Sequence, residues 1–168
     1  GNEKLPVMVW VHGGGWVFGS NSVGTYDGSA FANNGVVLVS VNYRMNSFGW
    51  MAHPALSAES EYGVSGNYGI LDHIAALEWV QDNIEEFGGD KNNVTIFGES
   101  AGGASIYSLL ATPMARSLFH KAISESTWIN TENVTDLKSS NGFSESAEVL
   151  GERAIATALD MAQVTGPD

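Results

Sequence analysis

An α/β fold is what this sequence predicts, on three observations. Strand-length apolar runs recur along the chain, amphipathic helical patterns lie between them, and clusters of glycine follow two of the runs. Val7 to Val11, in LPVMVWVHGGGW, is rich in β-branched residues and bounded by Pro6 and three glycines, so it reads as a strand buried on both faces. Val36 to Tyr43 (VVLVSVNY) is a second such run, Val94 to Phe97 a third, and Lys121 to Ser124 a weaker fourth.

The helices follow from spacing. Ile70, Ile74, Leu77, Val80, Ile84 and Phe87 recur at steps of three or four and share one face, while Asp72, Glu78, Asp82 and Glu86 point elsewhere. Gly88 and Gly89 then offer a left-handed stop. His73 on this helix is expected to be half exposed, and Trp50, Trp79 and Trp128 to be core. Ala101 to Ala111 is a second helix, Ser146 to Leu159 a third, and a short one around Ser29 to Asn33 joins the first two strands. Strands alternating with helices imply a mostly parallel sheet with helices on both faces. Met45 to Gly66 and Thr131 to Phe143 read as long loops.

At 168 residues and 43% hydrophobic, the chain has the size of one domain. A formal net charge of -12 repels nucleic-acid backbones and anionic lipid surfaces, and it suits either a neutral or cationic small molecule or a plain solvated surface. No apolar run reaches the length of a membrane span. With no cysteine, thiol catalysis, thiolate metal sites and internal disulfides are excluded.

The chemistry centres on GESAG, Gly98 to Gly102. The GxSxG pattern is weak alone in a chain with 20 glycines, but here a strand ends just before Ser100 and a helix starts just after it. That context makes Ser100 a nucleophile at a sharp turn, with helix N-terminal N–H groups beside it. A serine that merely capped the helix would not need glycines two residues away on both sides. HGGGW, His12 to Trp16, follows the first strand, where backbone N–H groups could complete an oxyanion hole. The other reading of those glycines is a simple turn. Both motifs fall at the carboxyl ends of strands, the edge where open α/β sheets bind ligands.

PVMVWVHGGGW, VVLVSVNYRMNSFGWMAHPAL, SAESEYGVSGNYGILDHIAALEWVQDNI, FGGDKNNVTIFGESAGGAS and LFHKAISES together resemble the type B carboxylesterases, which include the cholinesterases and bacterial para-nitrobenzyl esterases. The likeness covers most of positions 5 to 126. It implies the α/β-hydrolase fold, Ser100 as acyl-enzyme nucleophile, and an oxyanion hole of Gly14, Gly15 and the N–H of Ala101. It further implies hydrolysis of a small carboxylic ester with no cofactor or metal. Thr127 departs from the family, which has glycine after SES. The alternative is a cholinesterase-like binding or adhesion protein without catalysis, although such proteins commonly lose the serine or the hole.

A serine needs a base and an orienting acid, which in this fold follow it in the chain as acid and then histidine. His12, His53 and His73 precede Ser100, and His120 lies ahead of the fourth strand at the wrong end of the sheet. His12 reads as a turn histidine supporting the site indirectly, and His53 as an orderer of its loop. Glu99, beside the serine at a sharp turn, points away from its hydroxyl and reads as a buried supporting residue rather than the triad acid. Because family members are several times longer, the expectation is a single partial α/β-hydrolase domain, truncated at both ends, aggregation-prone and inactive by itself. Trp16 and Phe18 line an acyl pocket or pack in the core. Asn93-Val94-Thr95 and Asn133-Val134-Thr135 are glycosylation sequons expected to be unused.

Overall fold

A computed structural model describes residues 3–127, 129, 134–140, 142 and 144–162. The described chain forms two compact units, one of residues 1–46 and 69–129 and the other of residues 47–68 and 130–168.

The first unit contains a four-stranded sheet in the order β2-β1-β3-β4, with β1 at Leu5–Val11, β2 at Val37–Val41, β3 at Gly89–Glu99 and β4 at Lys121–Glu125. All three pairings are parallel. In register, Val7, Val9 and Val11 of β1 lie against Val94, Ile96 and Gly98 of β3. Alternation sends these residues to one face, where all of them, Gly98 included, are buried. Each such valine or isoleucine contributes roughly 2 kcal/mol through removal from water.

Helix α5 (Ala101–Ala111) packs on that face, because Gly98 points at the backbone of Gly102. The opposite face carries Trp10 and Phe97, register partners whose rings are 4.8 Å apart, with Phe31 of α1 (Ser29–Asn33) 5.8 Å from Phe97. Helices therefore cover both faces, as the alternating pattern requires. Ile74, Leu77 and Val80 of α4 (Tyr68–Asn83) are buried, and a 3-10 turn at Ile84–Phe87 ends on Gly88 at φ 82°.

Three expectations are corrected here. His73 is 1% exposed rather than half exposed, because the ring of Tyr43 meets it edge-on with centroids 4.5 Å apart. Trp79 is not core: it is 46% exposed and shields its ring against Phe87, 5.7 Å away and itself 62% exposed, so Phe87 leaves the buried face of the helix. Trp128 lies outside the described residues. Asn93 sits inside β3, and its Oδ1 accepts from Lys121 Nζ at 2.6 Å, while Asn133 of the other sequon is outside the described residues.

The second unit differs from the expected plain loop. The segment read as Met45 to Gly66 contains α2 (Asn46–Trp50) and α3 (Pro54–Glu59), too short to show a hydrophobic period. His53 Nδ1 caps α3 by accepting from Ala55 N, the loop-ordering role expected of it. Ser57 Oγ donates to Glu148 Oε1 at 2.6 Å, joining α3 to α6 (Ala147–Met161), and Gly151 faces the carbonyl of Ala52 too closely for any side chain. The expected helix from Ser146 is present, with Ser146 Oγ as its cap. No helix among the described residues is long and apolar enough to cross a membrane.

Candidate active site

The ends of β1 and β3 are neighbours in register, Val11 opposite Gly98, so the segments that follow them are brought together. After β3 the chain turns at Ser100, which has φ 57° and ψ -120°. For a residue with a β-carbon such a conformation costs roughly 1–3 kcal/mol. Its side chain makes no capping hydrogen bond to α5. The hydroxyl is therefore not committed to the helix, and among the described residues nothing hydrogen-bonds to it.

Close packing explains the flanking glycines. A β-carbon on Gly98 would lie 2.6 Å from the carbonyl carbon of Gly102 and 2.8 Å from Val11 O, and one on Gly102 would enter the Val11 carbonyl oxygen. The G-x-S-x-G spacing is thus a statement about backbone touching backbone on either side of the turn.

The HGGGW segment lies against this turn. A β-carbon on Gly13 would stand 3.1 Å from Ser100 Cβ, 2.8 Å from Glu99 O and 3.1 Å from Glu99 Oε2. The Glu99 carboxylate thus sits beside Gly13, on a half-buried residue rather than a buried one. Gly14 (φ 115°) and Gly15 (φ 63°) then reverse the chain, with Val17 N and Phe18 N both donating to Gly14 O. Among the described residues the N–H groups of Gly14, Gly15 and Ala101 find no acceptor.

This turn is tied down from outside. Tyr43 Oη donates to His12 O at 2.8 Å, Asn46 N donates to Trp16 O at 2.8 Å, and Asn46 Nδ2 donates to Val17 O at 2.9 Å. Trp16 Nε1 donates to Ser105 Oγ at 3.2 Å. Tyr43, Asn46 and Ser105 had no role in the sequence reading. Ser105 left one faint trace, a serine in the middle of a small-residue helix where its hydroxyl can bond four residues back.

His12 is fully buried beside the turn, its ring stacked on Tyr43 at 4.5 Å and its Nδ1 2.7 Å from Gly13 O. A carbonyl only accepts, so Nδ1 carries the proton in that contact. Burial pushes His73 down to about 4, with His12 adding to the shift and Asp72 opposing it. Asp72 is itself buried enough to be pushed up, yet the Arg44 hydrogen bonds and charge outweigh that and hold it below the usual carboxylate range. His120 is placed as expected at the far end of the sheet, its Nδ1 accepting from Val94 N at 3.2 Å. Among the described residues no group of three or more His, Cys, Asp or Glu is arranged to hold a metal ion.

A strained, uncapped serine between a parallel strand and a helix, beside a glycine turn with free N–H groups, is the arrangement of hydrolases built on a parallel α/β sheet. Comparison with known proteins agrees. The family model described as Carboxylesterase family matches residues 1–164, and the chain belongs to that family. It is 52% identical over 154 residues to the Fumonisin B1 esterase of Sphingopyxis macrogoltabida, covering 91% of this chain and 28% of that protein. It is 53% identical over 126 residues to the Para-nitrobenzyl esterase of Bacillus subtilis, covering 74% of this chain and 25% of that one. Among solved structures, a carboxylesterase of Geobacillus stearothermophilus superposes with a TM-score of 0.80 at 43% identity, covering 100% of this chain and 33% of that one. The fold is the α/β-hydrolase fold. The chain spans between a quarter and a third of the length of these relatives.

Proposed function

We propose that these residues supply the nucleophile and oxyanion hole of a serine esterase acting on a neutral carboxylic ester. The observation that carries the reading is Ser100 itself: a side chain held at positive φ, with its hydroxyl withheld from the helix it precedes and the Gly13 to Gly15 turn packed against it.

In this reading Ser100 Oγ attacks the ester carbonyl while its proton passes to a base. The carbonyl oxygen, now an anion, takes hydrogen bonds from the N–H groups of Gly14, Gly15 and Ala101. The C–O bond to the alcohol breaks, the alcohol leaves with the proton, and an acyl-Ser100 remains. Water then adds to the acyl carbon by the same route and releases the carboxylic acid. Glu99 and His12 support the two halves of the hole without touching the reacting atoms. His12 bonds to Gly13 O, His53 caps α3, His73 is buried against Tyr43 and His120 bonds to Val94. Among the described residues none of these four imidazoles hydrogen-bonds to the Ser100 hydroxyl, so the base and its acid are not assigned to them.

The test is labelling of the full-length gene product with an organophosphonate, followed by peptide mass spectrometry and p-nitrophenyl acetate turnover. The adduct is expected on Ser100, and Ser100→Ala is expected to leave only about 10³ to 10⁴ of acceleration over water. Label on another residue, or full turnover by the alanine variant, would overturn the reading.

A further inference from the structure

We infer that Ser105 is a positioning residue for the oxyanion hole, its hydroxyl setting the Gly14–Gly15 half of the hole relative to the Ala101 half. The inference rests on the esterase reading above.

Ser105 Oγ donates to Ala101 O at 3.0 Å and accepts from Trp16 Nε1 at 3.2 Å. The directions are fixed, because a carbonyl can only accept and an indole N–H can only donate. A buried helical serine bonding to the carbonyl four residues back is ordinary, and that accounts for the first bond. It does not account for the second, which reaches Trp16 across 89 positions of sequence. One fully buried hydroxyl thus joins the residue just after the glycine turn to the residue just after the nucleophile.

The turn needs such an anchor. Gly14 and Gly15 have no side chains to hold them and can adopt many conformations. Their neighbours do the holding, His12 O through Tyr43 on one side and Trp16 through Asn46 and Ser105 on the other. Trp16 is itself in the left-handed region at φ 59°, a conformation that persists only where its surroundings impose it. The Tyr43 and Asn46 ties fix the turn to the β2 side of the sheet. The Ser105 tie is a side-chain hydrogen bond that reaches from the far side of the turn to α5, the helix that presents the Ala101 N–H. A hole whose donors sit on two elements stabilises the anion only if both are at hydrogen-bond distance together, so slack between them appears in the transition state and not in substrate binding.

The test uses the full-length gene product with Ser105→Ala, Trp16→Phe and the double variant, assayed on p-nitrophenyl butyrate and titrated with a trifluoromethyl ketone whose hemiketal anion occupies the hole. Each single change is expected to lower kcat about tenfold to a hundredfold with KM within about twofold. Ketone affinity should fall by the same factor, and the double variant should be no worse than the poorer single one. A merely structural serine would shift the melting temperature and leave the ratio of ketone to substrate affinity unchanged. Unchanged kcat, a rise in KM alone, or multiplying losses in the double variant would each overturn the inference. Trp16→Phe keeps an aromatic ring in place and carries the test if Ser105→Ala does not fold. A wild-type protein that neither turns over ester nor takes the phosphonate on Ser100 would instead overturn the esterase reading beneath it.

Discussion

The backbone N–H of Ser100 donates to the carbonyl of Glu125 at 3.0 Å, one residue past the last paired position of the sheet, Glu99 against Glu125. Strand β4 thereby extends its ladder into the turn and helps hold Ser100 at a φ that its side chain disfavours. Relieving that conformation should stabilise the protein. Ser100→Gly is expected to raise unfolding free energy by roughly 1 kcal/mol after the added flexibility of the unfolded glycine is subtracted, while Ser100→Ala gives no such gain. Thermal or urea unfolding of the two variants side by side measures it, and equal stability would mean that no strain is stored there.

Gly102 tests the packing account of the serine motif. Gly102→Ala places a methyl in the Val11 carbonyl, which is backbone and cannot swing aside. The expected loss is roughly 3 kcal/mol or more, seen as a lowered melting temperature or failure to fold. Gly15→Ala makes the contrast, since nothing lies within 4 Å of a β-carbon there and its cost comes from φ 63° alone. A Gly102→Ala variant as stable as the wild type would show that the spacing has another cause.

His73 predicts an acid-sensitive step. Its folded pKa is about 4 and its ordinary value 6.5, so below 6.5 the unfolded chain takes up a proton that the buried ring refuses. The stability that goes with neutral His73 is complete above pH 6.5, is lost as pH falls toward 4, and changes no further below that. The total is roughly 3 kcal/mol. Urea midpoints of wild type and His73→Phe, compared at about pH 7 and about pH 4.5, isolate it, because carboxylate titrations are common to both. Parallel pH profiles would count against the assignment.

Tyr43 predicts the opposite limb. Burial first, and Tyr26 second, push its hydroxyl up to about 12 from 10.0. The protonated hydroxyl, donating to His12 O, contributes stability that is complete below pH 10 and is lost as pH rises through about 12. Tyr43→Phe leaves that carbonyl without its partner and is expected to cost roughly 1–2 kcal/mol at about pH 7. It should also flatten the alkaline limb, which pH-dependent melting curves would show.

Much of the fold was legible because its strands carry β-branched apolar runs, even though β2 is mostly half-buried and β4 alternates between exposed and half-buried residues. β3 reaches further back than its apolar run because Gly89 to Asn93 enter the sheet without any apolar side chain from Asp90 to Asn93 to mark them. The burial of His73 was not legible, since what encloses it is Tyr43, distant in sequence and next to it only in the fold. The same limit applies at the site. Ser100 and the glycines sit in local motifs whose spacing has a physical reason, whereas Tyr43, Asn46 and Ser105 act through one or two hydrogen bonds each to backbone or indole, which many residues could make and no spacing announces.

The register of Val11 opposite Gly98 has an evolutionary reading. The two halves of the site are set apart by one inter-strand distance, about 4.8 Å, however long the polypeptide that runs between them. Residues 47–68, which fall within that intervening stretch but belong to a separate compact unit, can lengthen, shorten or be exchanged without altering the spacing. Descendants of one such gene can therefore diversify there while inheriting the same spacing between the two turns, because the sheet and not the loop keeps the measure.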